Sequence, residues 1–192
     1  MNSFVSALFS PQAGAQAKGQ PAGPDQQKTA SIEKAGGRVA AIAQNDSRLE
    51  VDFHLQGASV GDPALAAVAG LKDVVQLNLG KTGITDVGLA QIKGMTTLTR
   101  IHLEQTKVTD KGLANLKGLA NLEYLNLYGT EITDRGLEEL AGLSKLKSLY
   151  LWQTKVTEAG VSKLKKALPN LEIVTGWEQK EEPKEKEPKE KK

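Results

Sequence analysis

The sequence predicts an α/β solenoid, a right-handed βα horseshoe segment of about five coils that follows an N-terminal cap. Two observations support this fold class. Similar residues return at a fixed interval of 24 residues, and the leucines within each interval change from an alternating to a helical pattern. A unit of this length cannot bury its own apolar side chains. Stacked units share one core, and the repeat therefore indicates a solenoid.

Three columns of residues define the repeat through four consecutive units. The threonine column is Thr82, Thr106, Thr130 and Thr154, the glycine column is Gly88, Gly112, Gly136 and Gly160, and the acidic column is Asp86, Asp110, Asp134 and Glu158. A hydroxyl group both donates and accepts, so we expect the threonines to form a ladder along the turn that satisfies buried backbone groups.

Each unit predicts a strand, a turn and a short helix. Leu125 and Leu127 alternate as in a strand with one buried face. Thr133 is suited to cap the helix that follows, and Asp134 suits the positive end of that helix. Gly136 leaves room for the helix to lie close to the rest of the coil.

Degenerate copies flank the regular units. The first copy starts near Glu50 and carries Phe53, Leu55, Val60, Asp62 and Leu65 at the matching places, and the last is one residue longer and ends at residues 171–174. Before them, a helix that ends near Ala35, the pair Gly36-Gly37 and a hairpin are expected to cap the first coil.

Composition divides the chain into four parts. Residues 1–30 predict a disordered leader or a degenerate export signal, 31–47 the cap, 48–177 the repeat domain and 178–192 a disordered Lys/Glu/Pro tail. The run from Phe4 to Phe9 and the Ala15-Gln16-Ala17 box favour export to the periplasm, and the lack of a preceding basic residue favours the cytoplasm.

Charge and residue types exclude several function classes. The chain has 25 Lys and Arg against 23 Asp and Glu and lacks a concentrated basic patch, which disfavours nucleic-acid binding. It has no cysteine, so thiolate metal sites and covalent haem attachment are excluded. No stretch is long enough to span a bilayer. We expect no cofactor, no metal and no enzymatic activity, and we expect a monomer.

The sequence TKVTDKGL at residues 106–113 resembles the 24-residue repeats of bacterial leucine-rich-repeat proteins, and most of all those of planctomycete-type bacteria. The resemblance covers nearly all of residues 48–177, and the repeats of F-box substrate receptors in ubiquitin ligases are related. It implies a leucine-rich-repeat solenoid with a binding role. Bacterial members often carry a c-type cytochrome domain. This chain has no Cys, so any electron transfer would lie in another chain.

The residues between the strand leucines are expected to project from the concave face in three columns. The first is Asp52, Gln76, Arg100, Tyr124, Ser148 and Ile173, the second is His54, Asn78, His102, Asn126, Tyr150 and Thr175, and the third is Gln56, Gly80, Glu104, Tyr128, Trp152 and Trp177. In this register the two histidines lie about 10 Å apart, which is too far for a shared metal ion or a catalytic pair. We expect instead two surface histidines bonded to Asn78 and Asn126.

All tyrosines and tryptophans of the chain fall in these columns, and all lie in its C-terminal half. Such side chains dominate protein interfaces. The predicted partner-binding residues are Arg100, Tyr124, Tyr128, Tyr150, Trp152 and Trp177. The alternatives are that the rings only stabilise short strands by stacking across them, or that Trp177 folds over the last coil as a lid.

A protein partner is the leading hypothesis for the function. A carbohydrate is the alternative ligand, because flat aromatic platforms also suit sugar rings. A third interpretation makes the chain a substrate-recognition or scaffold fragment of a larger protein whose active domain is absent here.

Overall fold

The sheet of the solenoid contains one short strand per coil. In the computed structural model, which describes residues 24–177, seven strands form one sheet in chain order. They are β1 (Arg38–Ala43), β2 (Asp46–Asp52), β3 (Val74–Asn78), β4 (Arg100–His102), β5 (Tyr124–Asn126), β6 (Ser148–Tyr150) and β7 (Glu172–Val174). β1 and β2 are antiparallel, and every later pair is parallel. The predicted α/β solenoid is confirmed.

Short helices return the chain from each parallel strand to the next. Parallel strands need such a crossover, and a helix is the usual solution. The helices are α1 (Pro24–Lys34), α2 (Ala64–Ala69), α3 (Asp86–Ile92), α4 (Asp110–Leu113), α5 (Asp134–Leu140) and α6 (Glu158–Ala167), and 3₁₀ segments lie at His54–Ser59 and Ala114–Leu116. Successive helices contact each other, so the coils stack on both sides of the core.

The N-terminal cap is a helix followed by a hairpin. Helix α1 contacts β1 and α2, and its Ile32 is fully buried. The helix starts at Pro24, before the boundary that the sequence predicts at residue 31. The predicted hairpin is confirmed as β1 and β2. The rest of the expected leader and the expected tail lie outside the described residues.

The core is a continuous stack of aliphatic side chains. Leu77, Ile101, Leu125 and Leu149 occupy equivalent positions in neighbouring strands, and each is fully buried. Leu127, two residues after Leu125, is also fully buried. This period of two places the intervening side chains on the opposite face of the sheet, away from the helices.

Neighbouring coils are joined by a contact that we call the staple, formed by an aspartate of one coil and a threonine of the next. The Asp110 carboxylate accepts hydrogen bonds from the Thr133 backbone N–H at 2.8 Å and from its hydroxyl at 2.6 Å. A Cβ added to Gly136 would lie 2.4 Å from Asp110 Oδ1, so glycine is required there. Equivalent staples are Asp62–Thr85, Asp86–Thr109 and Asp134–Thr157.

The threonine column acts within coils rather than between them. Each hydroxyl donates to the carbonyl oxygen three residues earlier, as Thr130 does to Leu127 at 2.6 Å, and the same bond recurs in the other three units. The predicted satisfaction of backbone groups is therefore confirmed. The predicted ladder along the turn is wrong, because each hydroxyl points to its own strand.

The strand register differs from the prediction in the first and last coils. In the first coil, Glu50 pairs with Gln76 and Asp52 with Asn78. Aligning the first coil by its acidic residue, Asp62, predicts a strand register that is two residues away from the observed one. The difference arises because the first coil has two extra residues between Phe53 and Asp62. Phe53 is therefore buried, and Leu55 is 81% exposed.

In the last coil, Glu172 rather than Ile173 pairs with Ser148, and Val174 rather than Thr175 pairs with Tyr150. The longer last repeat predicts a shift of one residue. The strands keep the 24-residue spacing instead.

Candidate functional site

The concave face is the face of the sheet that points away from the helices. The observed register gives it three columns of side chains. The first is Glu50, Gln76, Arg100, Tyr124, Ser148 and Glu172, the second is Asp52, Asn78, His102, Asn126, Tyr150 and Val174, and the third, which continues just past the strands, is His54, Gly80, Glu104, Tyr128, Trp152 and Gly176. The two histidines therefore lie in different columns, not in one as predicted.

Four aromatic rings meet on the C-terminal half of this face. The centroids of the Tyr128 and Trp152 rings are 5.2 Å apart and the rings are stacked, with 24° between their planes. The Tyr124 and Tyr150 rings are 5.3 Å apart and tilted. These spacings follow from the separation of neighbouring strands, about 4.8 Å, which places side chains of adjacent coils in contact. We call these four residues the aromatic cluster.

The Arg100 guanidinium extends the cluster towards the N-terminal half. Its central carbon lies 4.1 Å from the centroid of the Tyr124 ring, a cation–π contact. The His102 ring lies 4.9 Å from the same ring. Arg100 therefore already has an aromatic partner within the face.

An open depression of about 450 Å³ lies beside the stacked pair. Its lining residues are Asn126, Tyr128, Tyr150, Trp152, Val174 and Gly176. Trp152 is 52% exposed although it is one of the largest apolar side chains. An exposed apolar surface with a polar border is typical of an interaction site.

The structure brings together five of the six predicted site residues: Arg100, Tyr124, Tyr128, Tyr150 and Trp152. The sixth, Trp177, is 41% exposed and lies one residue beyond the third column, because Gly176 occupies the position beside Trp152. Val174 is a lining residue that the predicted register missed. Counting 24 residues on from Tyr150 would have identified it.

The N-terminal half of the face is polar. Asp52 Oδ1 lies 2.6 Å from His54 Nδ1 and also accepts a hydrogen bond from the His54 backbone N–H. Asn78 Nδ2 lies 3.4 Å from the same ring nitrogen, close to the predicted histidine–asparagine contact. The described contacts of the His102 ring are with Tyr124 and with Glu104, at 3.5 Å, rather than with Asn126.

Two groups on the face have shifted pKa values. Burial, and then the neighbouring Tyr150, raise the pKa of Tyr124, and the Arg100 guanidinium opposes this effect. Burial also acts to raise the pKa of Glu104. Hydrogen bonding by His102 and by the Glu104 backbone, with the charges of His102 and Lys81, outweighs burial, and the pKa of Glu104 is lowered. Glu104 is therefore ionised at neutral pH.

The described residues 24–177 hold no cluster of three or more His, Cys, Asp or Glu side chains arranged to bind a metal ion. Within the same range, no helix combines the length and hydrophobicity needed to cross a membrane.

Comparison with known proteins identifies the repeat. Residues 94–117 and 118–141 each match the Leucine Rich repeat family model. No curated protein matches the chain.

Solved structures that are similar include two internalins of Listeria monocytogenes. Internalin C2 is 34% identical with a TM-score of 0.49, and the match covers 57% of this chain and 44% of that one. Internalin inlF is 21% identical with a TM-score of 0.37, and the match covers 57% and 43%. The chain thus spans less than half the length of either. From the repeat matches and the sheet topology, the chain is similar to the leucine-rich-repeat family and folds as a leucine-rich-repeat solenoid.

Proposed function

We propose that the chain is a non-enzymatic interaction module that binds a protein partner on the C-terminal half of its concave face. The observation that supports this most is the aromatic cluster, in which four rings from two adjacent coils lie together and one of them, Trp152, is half exposed. Solenoids commonly bind through the extended surface that their stacked strands create. Tyrosine, tryptophan and arginine are also the residues that contribute most to protein interfaces.

The packing of Trp152 favours a protein over a carbohydrate. One face of its ring stacks on Tyr128, and the other lies so close to Gly176 that an added Cβ would be 2.0 Å from Trp152 Cδ1. A sugar ring needs an open aromatic face on which to stack. A Trp152 ring placed between Tyr128 and Gly176 offers less of that flat surface, and its exposed part suits apolar and polar side chains of a polypeptide.

Selection from a library of random 12-residue peptides displayed on phage tests this function, with the full-length chain as bait. We expect enriched clones that lose binding to Trp152→Ala. A substitution at an interface hot spot costs at least about 2 kcal/mol of binding free energy. Trp152 is half exposed, so the same substitution should change the urea midpoint much less than its binding.

Glu138→Ala and Lys111→Ala are the matched controls, because both change exposed side chains on the helical side of the solenoid. Both control variants should bind every enriched clone as well as the unmodified chain does. Clones that bind Trp152→Ala as well as the unmodified chain would show that the aromatic cluster is structural. Global unfolding of Trp152→Ala would show the same.

A further inference from the structure

The concave face carries a charge opposite to that of the rest of the chain. Its three columns contain four carboxylates, Glu50, Asp52, Glu104 and Glu172, against one arginine, Arg100, and two histidines, and Arg38 of β1 pairs with Asp52 on the same face. The remaining positions of the sequence have 24 Lys and Arg against 19 Asp and Glu. The predicted register places Asp52 and Glu104 on the face. The observed register adds Glu50 and Glu172.

Arg100, the arginine within these columns, already has a partner. The Arg100 guanidinium lies over the Tyr124 ring, as described above. Lys81, at the rim beside Glu104, is exposed to solvent. Three of the four carboxylates, Glu50, Asp52 and Glu104, lie in the N-terminal half, so the negative charge is concentrated beside the aromatic cluster.

The Glu104 carboxylate lies beside a donor of the protein, the His102 ring. Its Oε2 lies 3.5 Å from His102 Nδ1, and the Glu104 side chain remains 19% exposed. A cationic group of a partner that reaches the exposed part of this carboxylate would make a charge-assisted hydrogen bond.

Glu104 and Tyr128, neighbours in the third column, lean in opposite directions. Glu104 leans over Gly80, since a Cβ on that glycine would lie 2.5 Å from Glu104 Oε1. Tyr128 leans towards the next coil and stacks on Trp152. The two residues thus place a carboxylate and an aromatic ring at neighbouring positions of one column. This is a favourable environment for an ammonium or guanidinium group.

From these observations we infer that the partner presents a basic, extended segment, whose Lys or Arg side chains contact Glu50 and Glu104 while an apolar side chain contacts Trp152. This inference rests on the proposed function and specifies its ligand. Glu104 and Trp152 are two strand spacings apart, about 10 Å, which an extended chain spans in about three residues. Glu50 and Trp152 are four spacings apart, or about six residues.

Two synthetic peptides test the inference by fluorescence anisotropy with the full-length chain. The first has three lysines, a Gly-Ser-Gly spacer and Leu-Trp-Leu, and the second has three glutamates in place of the lysines. We expect the lysine peptide to bind at least about tenfold more tightly, because like charges repel across an interface. Non-specific attraction to a chain of net charge +2 would favour the glutamate peptide, so it cannot produce this result.

Substitutions then locate the contact. Glu104→Gln and Glu50→Gln should each weaken the lysine peptide several-fold and reduce the dependence of its binding on salt. Glu138→Gln, on the helical side, should leave both properties unchanged. The inference is overturned if the glutamate peptide binds equally well, if the two carboxylate substitutions have no effect, or if the lysine peptide does not bind at millimolar concentration.

The phage selection separates this inference from the proposed function. Enriched clones that depend on Trp152 and are rich in Lys and Arg support both. Enriched clones that depend on Trp152 but are neutral or acidic leave the proposed function standing and overturn the basic segment.

Discussion

Tyr124 contacts three side chains of the concave face, and its surroundings alter the pKa of its phenol. The Arg100 guanidinium, the His102 ring and the Tyr150 ring all lie within about 5.5 Å of its ring centre. Burial among these groups disfavours the phenolate form and raises the pKa of Tyr124 above its ordinary value of 10.0. In the unfolded chain, where this burial is lost, the same phenol loses its proton at a lower pH.

This difference predicts a pH dependence of stability. Tyr124 contributes stability that is fully present below its unfolded pKa and is lost as pH rises through the folded pKa. The free energy of unfolding should therefore fall less steeply between about pH 9 and 11 in Tyr124→Phe than in the unmodified chain. Urea titrations at intervals across this range measure the two slopes. Equal slopes would show that burial does not perturb this phenol.

The direction of the aromatic side chains was predictable from the sequence, because strand residues alternate between two faces and the leucines identify the buried one. The sequence did not reveal that Val174 lines the depression or that Trp177 lies beyond the third column. Both depend on whether the last coil keeps the 24-residue spacing, and the pairing of Glu172 with Ser148 settles this.

At the scale of the element, the staple determines how each short helix meets the preceding coil. The helices are too short to be stable alone, since nucleation is costly and few hydrogen bonds repay it. Thr133 does two things here: its hydroxyl accepts from the Arg135 N–H at 3.3 Å, and it donates to Asp110. The staple thereby fixes the start of helix α5 against the neighbouring coil.

A double-mutant cycle tests the staple. Gly136→Ala should destabilise the unmodified chain by about 1–3 kcal/mol, because the new methyl group would lie 2.4 Å from Asp110 Oδ1. In the Asp110→Ala background this nearest atom is gone, and the cost of Gly136→Ala should fall by at least about 0.5 kcal/mol. Urea melts of the four proteins give the coupling free energy.

Gly142→Ala is the control for this cycle, because an added Cβ there meets no atom within 4 Å. It should change stability little in either background. Additive effects of Asp110→Ala and Gly136→Ala would contradict the staple.

The glycine column was predictable as a packing feature, but the atom that it packs against was not. Gly136 and Asp110 are 26 residues apart, and no local pattern reveals that a carboxylate of one coil reaches a backbone N–H of the next. The threonine column was misjudged for the same reason, since a hydroxyl can bond either within its coil or across coils.

At the scale of the whole molecule, the register of the coils decides which apolar residues are buried. The same substitution, Leu to Ala, should therefore reduce the free energy of unfolding by very different amounts at two positions. Leu125→Ala, at a fully buried position, should cost about 2–5 kcal/mol of unfolding free energy. Leu55→Ala, where the side chain is 81% exposed, should cost no more than about 0.5 kcal/mol.

Urea melts of both variants measure this contrast. A large loss of unfolding free energy in Leu55→Ala would show that the first coil has the register that the acidic column predicts. The sequence could not distinguish the two registers there, because Phe53 and Leu55 are both apolar and the two extra residues before Asp62 are visible only once β2 is paired with β3.

The identical staples also bear on how such a chain changes its length over generations. An in-frame loss of residues 110–133 would join Thr109 directly to Asp134. The bonds of Asp86 to Thr109 and of Asp134 to Thr157 would both survive, because each lies within the retained segments. A duplication of the same segment would add one more staple of the same kind. The concave face can therefore lengthen or shorten in steps of about 4.8 Å without any new chemistry at the joints, and a single recombination event can match it to a larger or smaller partner.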